Sequence, residues 1–300
     1  MTNPLEYIEK YPERTKQIIG INYQQWSALV EVAKVEEERL RLAREQQKIR
    51  INNKGGGRPK ILTREEEVCL CIFYLRQLPT FEVLGLQFNI SKTQANDTFH
   101  YWIIILREIL PASLMEEAKK DKKELEIVKE MLTDYELIVD SWEQPRERPE
   151  DNQTQKEYYS GKKKQHTFKG QVVTFPEGKD LIDIEVGKQG KTSDISIFRE
   201  QQKKFNKEQK FTGDKGYQGG VNIKTPQKKP RGKELTDSQK EANKEIASNR
   251  IYVEHIIRII KIFRSAKERC RMERDKYEQV ILTICGLVRL RIGTLIFQAL

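Results

Sequence analysis

Tyr135-Glu-Leu-Ile-Val-Asp140 is where the period of this chain changes. Before it, apolar residues recur at helical spacing; here a short apolar run closes on a carboxylate, as a buried strand does. Gln165-His-Thr-Phe-Lys-Gly-Gln-Val-Val-Thr174 and Leu181-Ile-Asp-Ile-Glu-Val186 read as further strands, with a turn at Pro176-Glu-Gly178 between them. A helix over about 193–206 and a short strand through Phe211 follow. Strands succeeded by helices make residues 133–300 an α/β domain, separate from an all-α region in front.

Working back from that strand, residues 112–132 form a connector containing Glu116-Glu-Ala-Lys-Lys-Asp-Lys-Lys-Glu124, expected as a solvated helical spacer. Residues 55–111 carry three helix signals. Thr63-Arg-Glu-Glu66 is a capping box ahead of an apolar helix through Leu75, which Pro79 stops. Thr80 can cap a short helix from Phe81 to Phe88, and Asn89 supplies a turn. Ser91-Lys-Thr-Gln94 is a second capping box, opening a helix to about Leu110 that Pro111 halts. Short helix, tight turn and longer helix match helix-turn-helix geometry. Lys92, Thr93, Gln94 and Asn96 would then face the major groove, with Phe99, Trp102, Ile103 and Leu106 packed inward. A plain three-helix bundle is the other reading. Residues 1–54 hold a helix over 22–50, on Trp26, Leu29, Val30, Ala33 and Leu40. Asn52-Asn-Lys-Gly-Gly-Gly-Arg-Pro-Lys60 cannot continue it. That segment is a linker, or a basic arm whose Arg58 enters a DNA minor groove.

Lys and Arg number 55 against 45 Asp and Glu, a net charge of +10. Such a surplus attracts polyanions through counterion release, without saying which. The four cysteines form no C-x-x-C pair, and three histidines are too few to complete a zinc site. Cys69 and Cys71 lie in an apolar helical stretch and read as core. The N-terminus lacks a basic-then-apolar signal pattern, and no uncharged run approaches the roughly 20 residues that span a bilayer. Even the apolar C-terminus is broken at Arg289 and Arg291, and its tail, Ile292-Gly-Thr-Leu-Ile-Phe297, reads either as core or as interface. The expectation is a cytoplasmic protein with no membrane association.

Three acidic residues stand out by context. Asp140 is expected to end the first strand, and Asp214 follows another, in Thr212-Gly-Asp-Lys-Gly-Tyr-Gln-Gly-Gly220. Carboxylates at strand ends of an α/β sheet lie at its open edge, where ligands bind. Taken singly, each is equally a turn former or a cap. Thr236-Asp-Ser-Gln239 caps a long helix through Phe263. At about 100° per residue, Glu254 lies about 40° and Lys261 about 20° from Arg250, opposite the apolar face of Val253, Ile256, Ile259, Ile260 and Phe263. A carboxylate between two cations suits a metal ion and flanking phosphates; an exposed salt-bridge row is the plainer reading. Phosphodiester cleavage needs an activated water or 3′-hydroxyl and a stabilised leaving oxygen, which two Mg²⁺ ions roughly 4 Å apart provide. Magnesium keeps several waters, so a few carboxylates suffice to hold it.

These runs resemble a known family. Val139-Asp140-Ser-Trp-Glu143 and Tyr159-Ser-Gly-Lys-Lys-Lys-Gln-His-Thr167 look like the opening of the catalytic domain of IS5-group insertion-sequence transposases. Gly190-Lys-Thr-Ser-Asp194, Gly213-Asp-Lys-Gly-Tyr-Gln218 and Arg250-x3-Glu254-x6-Lys261 continue the likeness in order. The helices from 63 to 110, with Gly57-Arg-Pro-Lys60, are similar to the helix-turn-helix module that precedes such domains. The likeness covers about residues 55–290. It implies an RNase H-like mixed sheet flanked by helices, preceded by the all-α helix-turn-helix region. It also implies a DDE triad of Asp140, Asp214 and Glu254 as catalytic and metal-binding residues, taking two Mg²⁺ ions, with Mn²⁺ able to substitute, and Arg250 and Lys261 on DNA phosphates. The implied partner is double-stranded DNA, both transposon ends and target, bound by a homodimer; the implied setting is a bacterial cytoplasm, at the nucleoid when on DNA. The alternative is a catalytically decayed transposase or a helix-turn-helix regulator. The chain departs from the family pattern at Ala247, where a tyrosine is usual, and at Trp142, where a small residue is common. Two basic segments fit the reading: Lys162, Lys163 and Lys164 with His166 and Lys169, and the loop holding Lys224, Lys228, Lys229, Arg231 and Lys233. Either could track a DNA backbone.

Overall fold

A computed structural model describes residues 3–47, 60–230, 232 and 234–297. Helices α1 (Pro4–Lys10), α2 (Thr15–Ile18) and α3 (Tyr23–Gln46) open the chain. The reciprocal capping box of Asn22 and Gln25 starts α3, whose stripe of Trp26, Leu29, Val30 and Ala33 is buried. Glu37 is buried on the same helix, accepting from the Tyr101 hydroxyl at 2.8 Å and pairing with Arg64 at 2.8 Å. Arg58 and the rest of residues 48–59 lie outside the described residues.

The helix-turn-helix signals hold. Helix α4 (Arg64–Gln77) carries the Thr63/Glu66 capping box and ends on Leu78 at positive φ. Helix α5 (Phe81–Phe88) is capped by Thr80 and ends on Asn89, also left-handed. Helix α6 (Lys92–Ile109) begins with the Ser91/Gln94 box, and Phe99, Trp102, Ile103 and Leu106 are buried beneath it. Gly85 permits the crossing, because a Cβ there would stand 2.6 Å from the Ile90 carbonyl oxygen.

The connector is not a mere solvated spacer. It breaks into α7 (Leu114–Ala118) and α8 (Lys122–Leu132), and Met115 and Leu132 are fully buried against the sheet. Charge density concealed an apolar edge one residue wide per turn.

The sheet follows. It consists of β1 (Glu136–Pro145), β3 (Gln165–Thr174), β4 (Leu181–Gln189), β5 (Lys210–Thr212) and β6 (Ile223–Lys224). A helix α9 (Asn152–Tyr158) and a short strand β2 (Tyr159–Ser160), paired with the start of β3, lie between β1 and β3. The order is β4-β3-β1-β5-β6, with β3 antiparallel to both its neighbours and the β1-β5-β6 pairs parallel. This is the RNase H-like mixed sheet. Side chains alternate across it, so Leu137 and Val139 face one core and Ile138 and Trp142 the other. On the first face lie α7, α8 and α10 (Asp194–Gln202). On the second lie α11 (Asp237–Ile260) and α12 (Arg274–Ile292), in a core that runs on without a break into α1 to α6. Leu295 of the tail joins that core, whereas Ile296 is exposed.

Candidate active site

Asp140 does not end its strand. β1 continues to Pro145 along β3, but its ladder with β5 stops at Ile138↔Thr212. Asp140 therefore stands where the β5 side of β1 has become free edge. Extending that parallel register by two residues brings Asp140 opposite Asp214. Short β5 thus does what a strand end would have done, opening the sheet beside a carboxylate. The Asp140 side chain is mostly buried, and one oxygen accepts from the Ser141 N–H at 2.8 Å. Burial raises its pKa, the Arg250 guanidinium opposes that, and the charge of Asp214 adds to it.

Asp214 caps a 3-10 turn, Lys215–Tyr217, its Oδ1 accepting from the Gly216 N–H at 2.6 Å. Cap and candidate ligand are thus the same residue, and only one of its oxygens is spent. Gly216 must be bare: a Cβ would lie 2.8 Å from Asp214 Oδ1 and 3.2 Å from Asp194 Oδ2. Beneath, Tyr217 is buried, its hydroxyl 3.1 Å from the side-chain amide of Gln171. Burial drives the Tyr217 pKa well up, with the charges of Asp194, Asp140 and Asp214 adding to it.

Glu254 is half exposed on α11. Arg250, one turn earlier, reaches both ways: its Nη2 donates to Glu254 Oε1 at 3.3 Å and to Asp140 Oδ2 at 3.2 Å. The helical wheel anticipates the first contact, and the second crosses the fold. Among the described residues no three Asp, Glu, His or Cys side chains stand close enough to share an ion. The guanidinium instead lies between the first aspartate and the glutamate, with its Nε buried and unpartnered. One cation already serves two carboxylates here, and every candidate donor is a hard carboxylate oxygen, so the set fits a hard divalent ion.

Helix α11 ends at Ile260, so Lys261 is its C-cap rather than a continuation of the stripe. It is half-buried; burial and the nearby Lys163 and Lys267 lower its pKa against the pull of Asp140. Lys163 and Lys164 occupy the exposed turn between β2 and β3, with Lys164 at positive φ. The turn therefore brings Lys163 near Lys261 and the edge of the site. Lys92, Thr93 and Gln94 are exposed on the first turn of α6 and Asn96 is half exposed. The amide oxygen of Gln94 is already taken by the Ser91 N–H at 3.1 Å, so only its NH₂ remains to be donated outward.

Residues 139–289 match the family described as DDE superfamily endonuclease, and residues 60–112 match the helix-turn-helix of DDE superfamily endonuclease. The chain belongs to the DDE superfamily endonucleases. It is also 34% identical, over 264 residues, to a protein described as a probable transposase for insertion sequence element IS702 of Microchaete diplosiphon. That match covers 85% of this chain and 87% of the relative. A crystal structure of a pre-cleavage Mos1 transpososome aligns over 85% of this chain and 83% of its own, at 12% identity and a TM-score of 0.23, too slight a likeness to argue from. Endonucleases of this superfamily work with divalent metal ions, and the matched helix-turn-helix makes this one DNA-binding. Among the described residues, no helix is long and apolar enough to cross a membrane.

Sequence reading misplaced one cation of this endonuclease and passed over its partners. Lys169 is not at the surface. It is buried on β3, pairing with Asp194 at 3.0 Å and lying 3.9 Å from Glu143, while its ammonium donates to the Thr192 carbonyl at 2.7 Å. This pair fixes the start of α10 against the sheet, next to the Gly216 turn. The available signal was a lysine flanked by Phe168, Gly170 and Val172 in a strand whose inner positions are apolar. In the second basic segment, Lys224 pairs with Glu136 at 2.6 Å and Lys229 with Glu234, which leaves them less free to track DNA; Arg231 and Lys233 lie outside the described residues. The two departures from the family pattern are structurally mild. Ala247 is exposed on α11, and Trp142 packs over Gly170, its cross-strand partner, where a Cβ would lie 2.5 Å from the indole.

Proposed function

We propose that this protein, a DNA transposase by family and relative, binds the terminal inverted repeats of its element, hydrolyses a strand at each end and transfers the freed 3′-hydroxyl to target DNA. The observation that carries the reading is Asp140 on β1 and Asp214 two residues past the end of the neighbouring parallel β5, at an open edge, with Arg250 linking Asp140 to Glu254. Asp140, Asp214 and Glu254 would hold two Mg²⁺ ions, with Mn²⁺ able to replace them. When bound, those ions supply an activated water or 3′-hydroxyl and a stabilised leaving oxygen. With the two carboxylates on metal, the Arg250 guanidinium would be free to hold a DNA phosphate, which its paired N–H groups suit. Lys261 and the nearby Lys163 steady the same backbone. Lys92, Thr93, Gln94 and Asn96 read base edges from the first turn of α6, and Lys164 joins Lys163 on phosphate. Both ends of an element must be cut together, so the working form is a homodimer on DNA.

The test is cleavage of DNA carrying the element's own ends, with Mg²⁺, Mn²⁺ or EDTA. Metal-dependent 3′-hydroxyl ends are expected, lost in Asp140→Ala and Glu254→Gln while end binding persists. Cutting by Asp140→Ala at the wild-type rate would overturn the site, and end binding without any cutting would establish the decayed or regulatory alternative.

A further inference from the structure

A groove of about 700 Å³ opens beside Glu254, between the last turn of α4 and the end of α11 with the turn that follows it. Five cations line it: Arg76, Arg258, Lys261, Arg264 and Lys267. Two carboxylates share the lining, and both are engaged, Glu268 with Arg264 at 3.7 Å and Glu254 with Arg250 at 3.3 Å. Among the described residues, Arg76, Arg258, Lys261 and Lys267 therefore have no ion pair. A solvated charged face usually alternates sign, as α3 does with Glu31–Lys34 and Glu36–Arg39. This concavity does not. Arg76 is half-buried with its Nε unpartnered, and burial and the neighbouring Arg264 lower its pKa. Cations crowded in this way repel one another in the free protein, and a polyanion in the groove relieves the repulsion.

We propose that this groove is a track for the phosphate backbone of DNA, carrying the duplex from the helix-turn-helix region to the cleavage site within one chain. The proposal rests on the transposase reading. Arg76 belongs to α4, packed against the helix-turn-helix, whereas Lys261 and Glu254 border the site, so a backbone seated here touches both. The lining offers guanidinium and ammonium donors with two isoleucines and no amide or hydroxyl side chain, which suits phosphate oxygens rather than base edges.

The experiment uses the full chain in EDTA, so that binding is read apart from cutting. The probes are a duplex carrying the terminal repeat and a scrambled duplex of equal length, titrated by fluorescence anisotropy across a salt series. Arg258 and Lys267 are exposed and outside the catalytic set, so Arg258→Ala/Lys267→Ala keeps the fold, checked by its melting curve. The double variant should bind both duplexes more weakly by a similar factor, and its slope of log affinity against log salt should fall by about 2, near 0.9 per lost phosphate contact. Lys203→Gln at the C-cap of α10, across the sheet, should change neither. An unchanged slope and affinity with a wild type that binds would overturn the groove and leave the transposase standing. Loss of preference for the repeat with no change of slope would overturn a backbone role. A wild type that binds neither duplex would overturn both readings.

Discussion

Arg250 is the residue on which the candidate site turns. It satisfies Asp140 and Glu254 with one nitrogen, in a partly buried place where charge-assisted hydrogen bonds contribute about 1.5–3 kcal/mol. On the proposed reading, a divalent ion displaces that arrangement. Arg250→Ala should therefore bind Mn²⁺ more tightly, by about tenfold at the low end of that range, while end cleavage falls. Titration calorimetry on the protein without DNA reads the first effect separately from the second. Unchanged or weaker Mn²⁺ binding would mean that the guanidinium does not compete for the ligand set. How far this residue was legible in the sequence is instructive. The spacing of Arg250 and Glu254 is local and fixed by helix geometry, so the wheel pairs them. The bond to Asp140 joins residues 110 positions apart and depends on how α11 crosses the sheet. For the same reason Lys169 looked like surface, since a charge run conceals which of its members the fold turns inward.

At the scale of elements, the helix-turn-helix was the most legible part, because caps and turns are local chemistry. Thr63, Thr80, Ser91 and Asn89 each occupy the role that their side chains dictate. The connector was less legible, because Met115 and Leu132 lie among lysines and glutamates and gain meaning only from the sheet that they cover. Gly85 carries a prediction at this scale. Alanine would gain up to about 1 kcal/mol of helix propensity on α5. Its Cβ would also stand 2.6 Å from the Ile90 backbone oxygen, an overlap that backbone cannot yield cheaply and that costs about 1–3 kcal/mol. The clash should win. Gly85→Ala is expected to lower the melting temperature by a few degrees and to weaken end binding, as α6 tilts away from its seat. A more stable variant with unchanged binding would show that the turn tolerates a side chain.

For the whole molecule, sequence periodicity marks breaks near residues 55, 112 and 133, yet the apolar core crosses them. Arg289 shows how tightly the parts are joined. It interrupts the apolar C-terminal run, and in the structure its side chain is 1% exposed. Its guanidinium donates to both oxygens of Asp180 at 2.9 Å, to the Pro111 carbonyl at 3.3 Å, and pairs with Glu117 at 2.9 Å. Helix α12, the turn before β4, the end of the helical half and α7 thus meet on one side chain. Asp180 has a further partner in the Thr294 hydroxyl, but no second cation among the described residues. Removing one member of a buried pair strands the other charge, at a cost of about 3–5 kcal/mol. In a chain of this size that corresponds to a fall of roughly 10 °C in melting temperature for Arg289→Ala. The exposed pair Lys203–Glu200 supplies the contrast, since Lys203→Ala removes an interaction worth about 0–1 kcal/mol in solvent. Both melting curves can be followed by circular dichroism. If Arg289→Ala melted with the wild type, the shared apolar core and the other polar contacts between the halves, such as Gln25 to the Leu290 carbonyl and Arg76 to the Ile262 carbonyl, would hold the helical half to the sheet without this side chain.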